Sequence, residues 1–223
     1  MKIAIDGPVG AGKSTISDAV AQALGILHLD TGAMYRAAGL SCLRENIPVE
    51  DEVRVTAHCD SLDIDVAYAD GKQQTLLAGE DVSGLIRTEA VGNAASRVAT
   101  YGGVRRAMVA AQRRIAEKTS MLVDGRDIGT VVLPDADVKI FLTASAEERA
   151  MRRWRELQAK GVETPYEDVL RDLKARDHQD MNRPVDPLRV ADDAVVVDTT
   201  ELDFDQSVAA ILQVVAEKGA RHV

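Results

Sequence analysis

Cysteine is scarce in this sequence: two occur among 223 residues, Cys42 and Cys59. At most one disulfide is possible, and no thiolate set has metal-ligand spacing, so both are expected to be free and structural. The four histidines, His28, His58, His178 and His222, stand apart from one another and from the cysteines, with no H-E-x-x-H pattern. That argues against a transition-metal centre. Long apolar runs are missing as well. The opening stretch Met1-Lys2-Ile3-Ala4-Ile5-Asp6 is cut by an acid, too early for a spanning helix or a signal peptide, and a cytoplasmic location is the expectation. Positive charge is in deficit: 27 Lys and Arg against 36 Asp and Glu leave a net charge of −9. A surface of that sign does not suit a nucleic-acid polymer or an anionic membrane, although a local basic site within it is allowed. Low-complexity tracts and solenoid repeats are absent, so a folded chain with an ordinary core is expected.

What is present alternates. Lys2–Asp6 is a short β-branched run followed by a glycine loop and an Ala-rich helical stretch, Lys13 to Leu24. Gly25 is the stop after that helix, Leu27–Leu29 predicts a second strand, and Thr31 to Arg44 a second helix. Leu62, Ile64, Val66 and Tyr68 alternate with polar or small residues before Asp70-Gly71, which predicts a hairpin and a small β insert. Thr88 to Lys118 reads as two helices, weakened at Gly92 and Gly102-Gly103. Met121–Asp124 and Val138–Leu142 have the continuous apolar character of strands buried on both faces. Ala146–Lys160 predicts a charged helix. Thr164-Pro165-Tyr166-Glu167 predicts the start of another, with Pro165 at the first helical position and a capping box from Thr164 to Glu167. Ala194–Asp198 and Phe204–Lys218 predict a last strand and helix. Strands alternating with helices imply a doubly wound α/β fold around one parallel sheet.

Gly7-Pro8-Val9-Gly10-Ala11-Gly12-Lys13-Ser14 matches G-x-x-x-x-G-K-[ST] and lies between a predicted strand and a predicted helix, the context that gives this motif its meaning. Its glycines let backbone N–H groups turn inward, the following helix offers the positive end of its dipole, and Lys13 adds charge at the β- and γ-phosphates. Ser14 is the expected Mg²⁺ ligand. Triphosphate binding follows. The acceptor does not, because switches, ATPases and small-molecule kinases share this cradle.

Three further segments are candidates for the acceptor side. Asp30-Thr31-Gly32-Ala33-Met34-Tyr35-Arg36 follows a strand, so it starts at the carboxyl edge of the sheet, where open α/β folds bind ligands. Tyr35 beside Arg36 suits a base and a phosphate, and suits a plain surface pair equally. Asp124-Gly125-Arg126-Asp127 ends an apolar strand, where P-loop proteins put a metal-side aspartate; it carries more charge than a turn needs. Arg176, Asp180 and Arg183 share a helix face ahead of Pro184 and Pro187, as a ligand platform or a salt-bridged surface. Arg149, Arg152, Arg153 and Arg155 crowd the helix before it, a pattern that fits a lid closing on phosphates or a solvated helix with Glu147, Glu148 and Glu156. No N-K-x-D follows any of the three asparagines, which disfavours a guanine-nucleotide switch.

Taken together, GPVGAGKST, DTGAMYR, EDVSGLIRTEAVGNAASRVA, DGRDIGTVV and KARDHQDMNRPVDPL resemble the bacterial cytidylate kinases over nearly the whole chain. The resemblance implies one P-loop kinase domain over 1–223: a three-layer fold with five parallel strands and helices on both faces, a three-stranded nucleotide-binding insert at about 60–87 and a short helical lid at about 148–166. It implies transfer of the γ-phosphoryl of ATP to CMP or dCMP. ATP would lie on residues 7–14 with Thr15 and, from the lid, Arg153; Mg²⁺ would be held by Ser14 and, through water, Asp124. Ser96, Arg105 and Asp127 would read cytosine, Thr31 and Tyr35 would lie along the base, and Arg36 and Arg126 would hold the acceptor phosphate. Arg176 and Asp180 would contact the ribose, with Arg183 near the phosphates. Lys13, Arg36, Arg126 and Arg183 would carry the catalysis, on a monomer with no polymer or membrane partner. Ser14 and Thr31 stand where some members of the family have Gly and Ser, and both keep the chemistry. Another small acceptor such as UMP, or a non-kinase switch, is the alternative.

Overall fold

Short runs of Val, Ile and Leu become the strands of one parallel sheet in the computed structural model of the chain, which describes residues 1–219; His222 lies outside them. In chain order, β1 (Lys2–Asp6) leads to α1 (Lys13–Leu24), β2 (Leu27–Asp30) runs straight into α2 (Thr31–Arg44), and α3 (Glu52–Asp60) precedes β3 (Ile64–Ala69), β4 (Lys72–Leu77) and the two-residue β5 (Glu80–Asp81). Helices α4 (Glu89–Val98) and α5 (Gly102–Glu117) are followed by β6 (Met121–Gly125), a π-helical turn (Ile128–Val132) and β7 (Val138–Thr143). Then come α6 (Ala146–Ala159), α7 (Tyr166–Asn182), β8 (Val195–Asp198) and α8 (Phe204–Gly219).

The large sheet has the order β2-β6-β1-β7-β8, with every neighbour parallel. Successive side chains point to opposite faces. Ile3, Ile5, Leu122, Ile140 and Leu142 pack with Ile16 and Val20 of α1 and Ile211 and Val215 of α8. Ala4, Leu29 and Val123 face the other way, onto Met34 and Ala37 of α2 and Met108 and Ile115 of α5. Cover on both faces is why these strands are continuous apolar runs. After β1 the chain turns towards β2, and after β6 it crosses to β7 on the other side. A crevice therefore opens beyond the carboxyl ends of β1 and β6.

The insert is a three-stranded antiparallel sheet, β3-β4-β5, turning at Asp70-Gly71 as the alternation implies. It is fastened to the edge strand next to the crevice. The Asp30 N–H donates to Gln73 Oε1 at 2.8 Å, and the Tyr68 hydroxyl donates to the His28 carbonyl at 3.0 Å.

Several local expectations need correction. Helix α3 has no clear stripe in the sequence because only Val55 and Cys59 are buried on it; an Asp51 side-chain cap starts it. The break between α4 and α5 falls at residues 99–101, and α4 runs through Gly92. Pro165 occupies the N-cap with ψ 141° and not the first helical position, and no side-chain cap forms from Thr164; the Thr164 carbonyl accepts from Trp154 Nε1 instead. Arg183 has left the helix and stands at its C-cap in extended backbone, so it does not share a helical face with Arg176 and Asp180. Among the described residues no helix is long and apolar enough to cross a membrane, and both cysteines are free and buried.

Candidate active site

The phosphate loop closes around Lys13. Its Nζ is buried and donates to the Pro8 carbonyl at 2.8 Å. Burial drives its pKa down to about 7, helped by Arg126, against the pull of Asp124, Asp180 and Asp6; phosphate oxygens are the counter-charge such a lysine lacks. Gly7 is obligatory, because a Cβ there would stand 2.0 Å from the Leu142 carbonyl oxygen. From outside, Val9 is gripped at both backbone groups. Its N–H donates to Asp177 on α7 at 3.3 Å, its carbonyl accepts from Arg149 on α6 at 2.8 Å, and Arg149 and Asp177 pair at 2.7 Å.

At the carboxyl end of β6, Asp124 faces the first turn of α1. Ser14 Oγ donates to Asp124 Oδ2 at 3.0 Å, and the buried Thr31 hydroxyl donates to the Asp124 carbonyl at 2.7 Å. Asp124 Oδ1 lies 2.8 Å from His28 Nε2, and His28 Nδ1 lies 2.5 Å from Asp18. Burial alone would lower the His28 pKa, but the hydrogen bonds and charges of Asp124 and Asp18 push it up to about 10. Burial likewise works to raise Asp124, and His28, Lys13 and Ser14 together hold it below the usual carboxylate value. An ionised carboxylate beside a serine hydroxyl is a hard, oxygen-only donor pair. It fits Mg²⁺, which takes one or two protein ligands and fills its shell with water and phosphate. Among the described residues no cluster of three or more His, Cys, Asp and Glu side chains has metal-holding geometry.

Across the crevice the charged residues interlock. Arg105, 1% exposed, bonds a terminal nitrogen to Asp127 Oδ2 and its Nε to Asp186 at 3.0 Å. Arg183 reaches Asp127 Oδ1 at 3.4 Å, and Arg126 Nε donates to Asp180 at 2.8 Å. The ring of Tyr35 lies 5.7 Å from the Arg105 guanidinium carbon, and its buried hydroxyl has no protein partner. A buried, orphaned hydroxyl beside a fixed guanidinium is a place for a ligand atom. Asp6 positions this group from below: its carboxylate accepts the Ile128 and Gly129 amides at 2.7 and 2.8 Å, fixing the π-helical turn that follows Asp127.

Arg36 lies over Gly92, 3.0 Å from where a Cβ would stand, and donates to the Ile86 carbonyl. Burial and the nearby charges of Arg87, Arg176 and Arg153 hold its pKa below the ordinary value, with Asp30 in opposition. Cations gathered about a cavity edge suit an anion. Ser96 is half-buried, its Oγ accepting from Gln179 at 3.2 Å, and Arg176 donates to Asn93 at 2.8 Å. Thr15 is exposed at the start of α1. Of the arginines on α6, Arg149 and Arg152 are tied into the body, Arg152 through the Thr199 carbonyl and Glu148. That removes both from a phosphate-facing lid. Arg153 is half-exposed and pairs with Glu156 at 3.0 Å.

The sequence patterns missed the Arg149–Asp177 brace, the Asp18–His28–Asp124 chain, Gln179 and Asp186. Asp177, Gln179 and Asp186 lie inside the segment KARDHQDMNRPVDPL, but no spacing singled them out. Nothing marked His28 except its place one residue before Leu29 in a predicted strand.

Comparison with known proteins shows the family. The family model described as cytidylate kinase matches residues 3–217. The chain is 48% identical to a cytidylate kinase of Carboxydothermus hydrogenoformans over 98% of both chains. It is 49% identical to one of Klebsiella pneumoniae, over 97% of this chain and 95% of that one. In shape it is similar to a shikimate kinase of Bacteroides thetaiotaomicron, at TM-score 0.50 and 13% identity over 97% and 98% of the two chains, which is a likeness of fold alone.

Proposed function

The chain belongs to the cytidylate kinase family, and on that premise we propose that it transfers the γ-phosphoryl of ATP to CMP or dCMP, giving ADP and CDP or dCDP. The observation that supports this best is the meeting, at one sheet edge, of a phosphate loop with a buried Arg105–Asp127 pair beside the orphaned Tyr35 hydroxyl. Cytosine offers an amino donor at N4 and acceptors at N3 and O2, which a carboxylate and a guanidinium complement; uracil reverses two of these.

In this scheme residues 7–15 hold the triphosphate through backbone N–H groups, Lys13 lies against its β- and γ-oxygens, and Arg153 approaches from the segment at about 148–166. Ser14 and, through water, Asp124 would hold Mg²⁺, which when bound supplies positive charge to the β- and γ-phosphate oxygens. Arg36 and Arg126 grip the acceptor phosphate, with Arg183 beside it; Arg176 and Asp180 take the ribose; Thr31, Tyr35, Ser96, Arg105 and Asp127 surround the base. The insert at about 60–87 closes the acceptor side. No general base is required, because the monophosphate dianion is already the nucleophile. Catalysis then rests on alignment and on Lys13, Arg36, Arg126 and Arg183 absorbing transition-state charge. The enzyme works in this reading as a cytoplasmic monomer on free nucleotides.

The test is ADP release by purified protein with ATP, Mg²⁺ and a panel of CMP, dCMP, UMP, AMP and shikimate. Saturable turnover with CMP or dCMP is expected. Turnover with UMP or shikimate alone would reassign the acceptor, and ATP hydrolysis indifferent to every acceptor would refute the kinase.

A further inference from the structure

Asp186 lies outside the residues assigned so far to either nucleotide, yet it touches two of them. It sits in the turn after α7 with φ 47°, in the left-handed region that aspartate, asparagine and glycine enter more readily than other residues. That turn aims two of its atoms at two arginines. Its carboxylate Oδ2 accepts from Arg105 Nε at 3.0 Å. Its carbonyl accepts from Arg183 Nε at 2.7 Å and from a terminal nitrogen of the same side chain.

The consequence for Arg105 is geometric. A guanidinium carries five N–H donors in a rigid fork. Nε is taken by Asp186, one terminal nitrogen by Asp127, and the other by the Ala99 carbonyl at 3.3 Å. Two N–H groups remain for a ligand, in a plane fixed at both edges by carboxylates and lying beside the Tyr35 ring. Held only through its terminal nitrogens, by Asp127 and the Ala99 carbonyl, the fork could tilt about that edge and offer its donors to either carbonyl of uracil. Held at both edges, it faces one acceptor pattern.

We propose that Asp186 is a positioning residue for acceptor specificity: its carboxylate fixes the plane in which Arg105 meets the base, and its carbonyl ties that plane to Arg183. This rests on the function proposed above and deepens its base-reading half. The site is thereby closed by a residue of the turn after α7, so reading of the base and placement of the phosphate-side arginine are linked through one residue.

Three variants separate the carboxylate from the backbone. Asp186→Gly relieves the left-handed turn but removes the carboxylate, Asp186→Asn keeps an acceptor oxygen, and Asp186→Ala does neither. For Asp186→Gly, kcat/KM for CMP should fall about tenfold, mainly through KM for CMP, with KM for ATP unchanged and the CMP-to-UMP ratio reduced. Asp186→Asn should recover most of it. A second readout needs no turnover: the ¹⁵N-detected Arg105 Nε–H resonance of the ligand-free protein, assigned by its loss in Arg105→Lys, should move in Asp186→Gly and move less in Asp186→Asn, which keeps a neutral acceptor. An unchanged CMP-to-UMP ratio in the glycine variant, or an unmoved Arg105 resonance, would overturn the proposal. Absence of CMP turnover in the wild-type protein would instead sink the proposed function, while the resonance would still decide whether the clamp exists.

Discussion

The phosphate loop occupies eight consecutive residues, Gly7 to Ser14, and presents mainly backbone. The network around Asp127 takes Tyr35 from α2, Arg105 from α5, Arg126 from just after β6, and Asp180, Arg183 and Asp186 from α7 and its exit. One side of the crevice is thus shaped by local chain geometry and the other by side chains that only the completed fold brings together. In the proposed function backbone N–H groups, which serve any phosphate, make the first side the source of affinity. The second, with donors and acceptors set at fixed edges, is there proposed to refuse a base that leaves them unpaired.

Damage to the two sides should therefore look different. Lys13→Ala should lower kcat on the order of 10²–10³-fold while CMP still binds with near wild-type affinity by calorimetry; a matching loss of CMP affinity would mean that the sides are not separable. Arg105→Met should act first on stability. It removes the buried cation shared by Asp127 and Asp186 and leaves Asp127 only the longer contact to Arg183, a loss of about 3 kcal/mol, to be read from urea midpoints.

His28→Gln probes the hinge between the two, where Asp124 is held. The folded pKa of His28 is raised from 6.5 to about 10, so its contribution to stability is fully present below the lower value and lost as pH rises through the upper one. The wild-type advantage in urea midpoint should be largest near the acid end of that window and vanish above it; a constant difference would mean the histidine is uncharged in the fold. Arg44→Ala, which removes an exposed pair with Glu80 on the insert, should leave kinetics unchanged and the melting temperature nearly so.

The same contrast explains what the sequence disclosed. The phosphate loop, the five sheet strands and the Asp70-Gly71 hairpin are visible because each signal is contiguous. The Asp127 group was reached through family resemblance, since nothing in local spacing says that Arg105 and Asp127, 22 positions apart, will meet. Helix α3 was missed because two buried residues make too narrow a stripe, and the π-helical turn because its cause, the Asp6 carboxylate, lies 122 positions away. Arg149 and Arg152 looked like neighbours of Arg153, but burial on one face of α6 separates them from it. Chemistry at the surface of a motif was legible; side chains that brace it from another element were not.

The most direct test of the acceptor side as a base reader compares kcat/KM for CMP and UMP in the wild-type protein and in Asp127→Ala. A wild-type preference on the order of 10² or more that collapses in the variant, with KM for ATP constant, is expected. A preference that survives loss of the Asp127 carboxylate would contradict it.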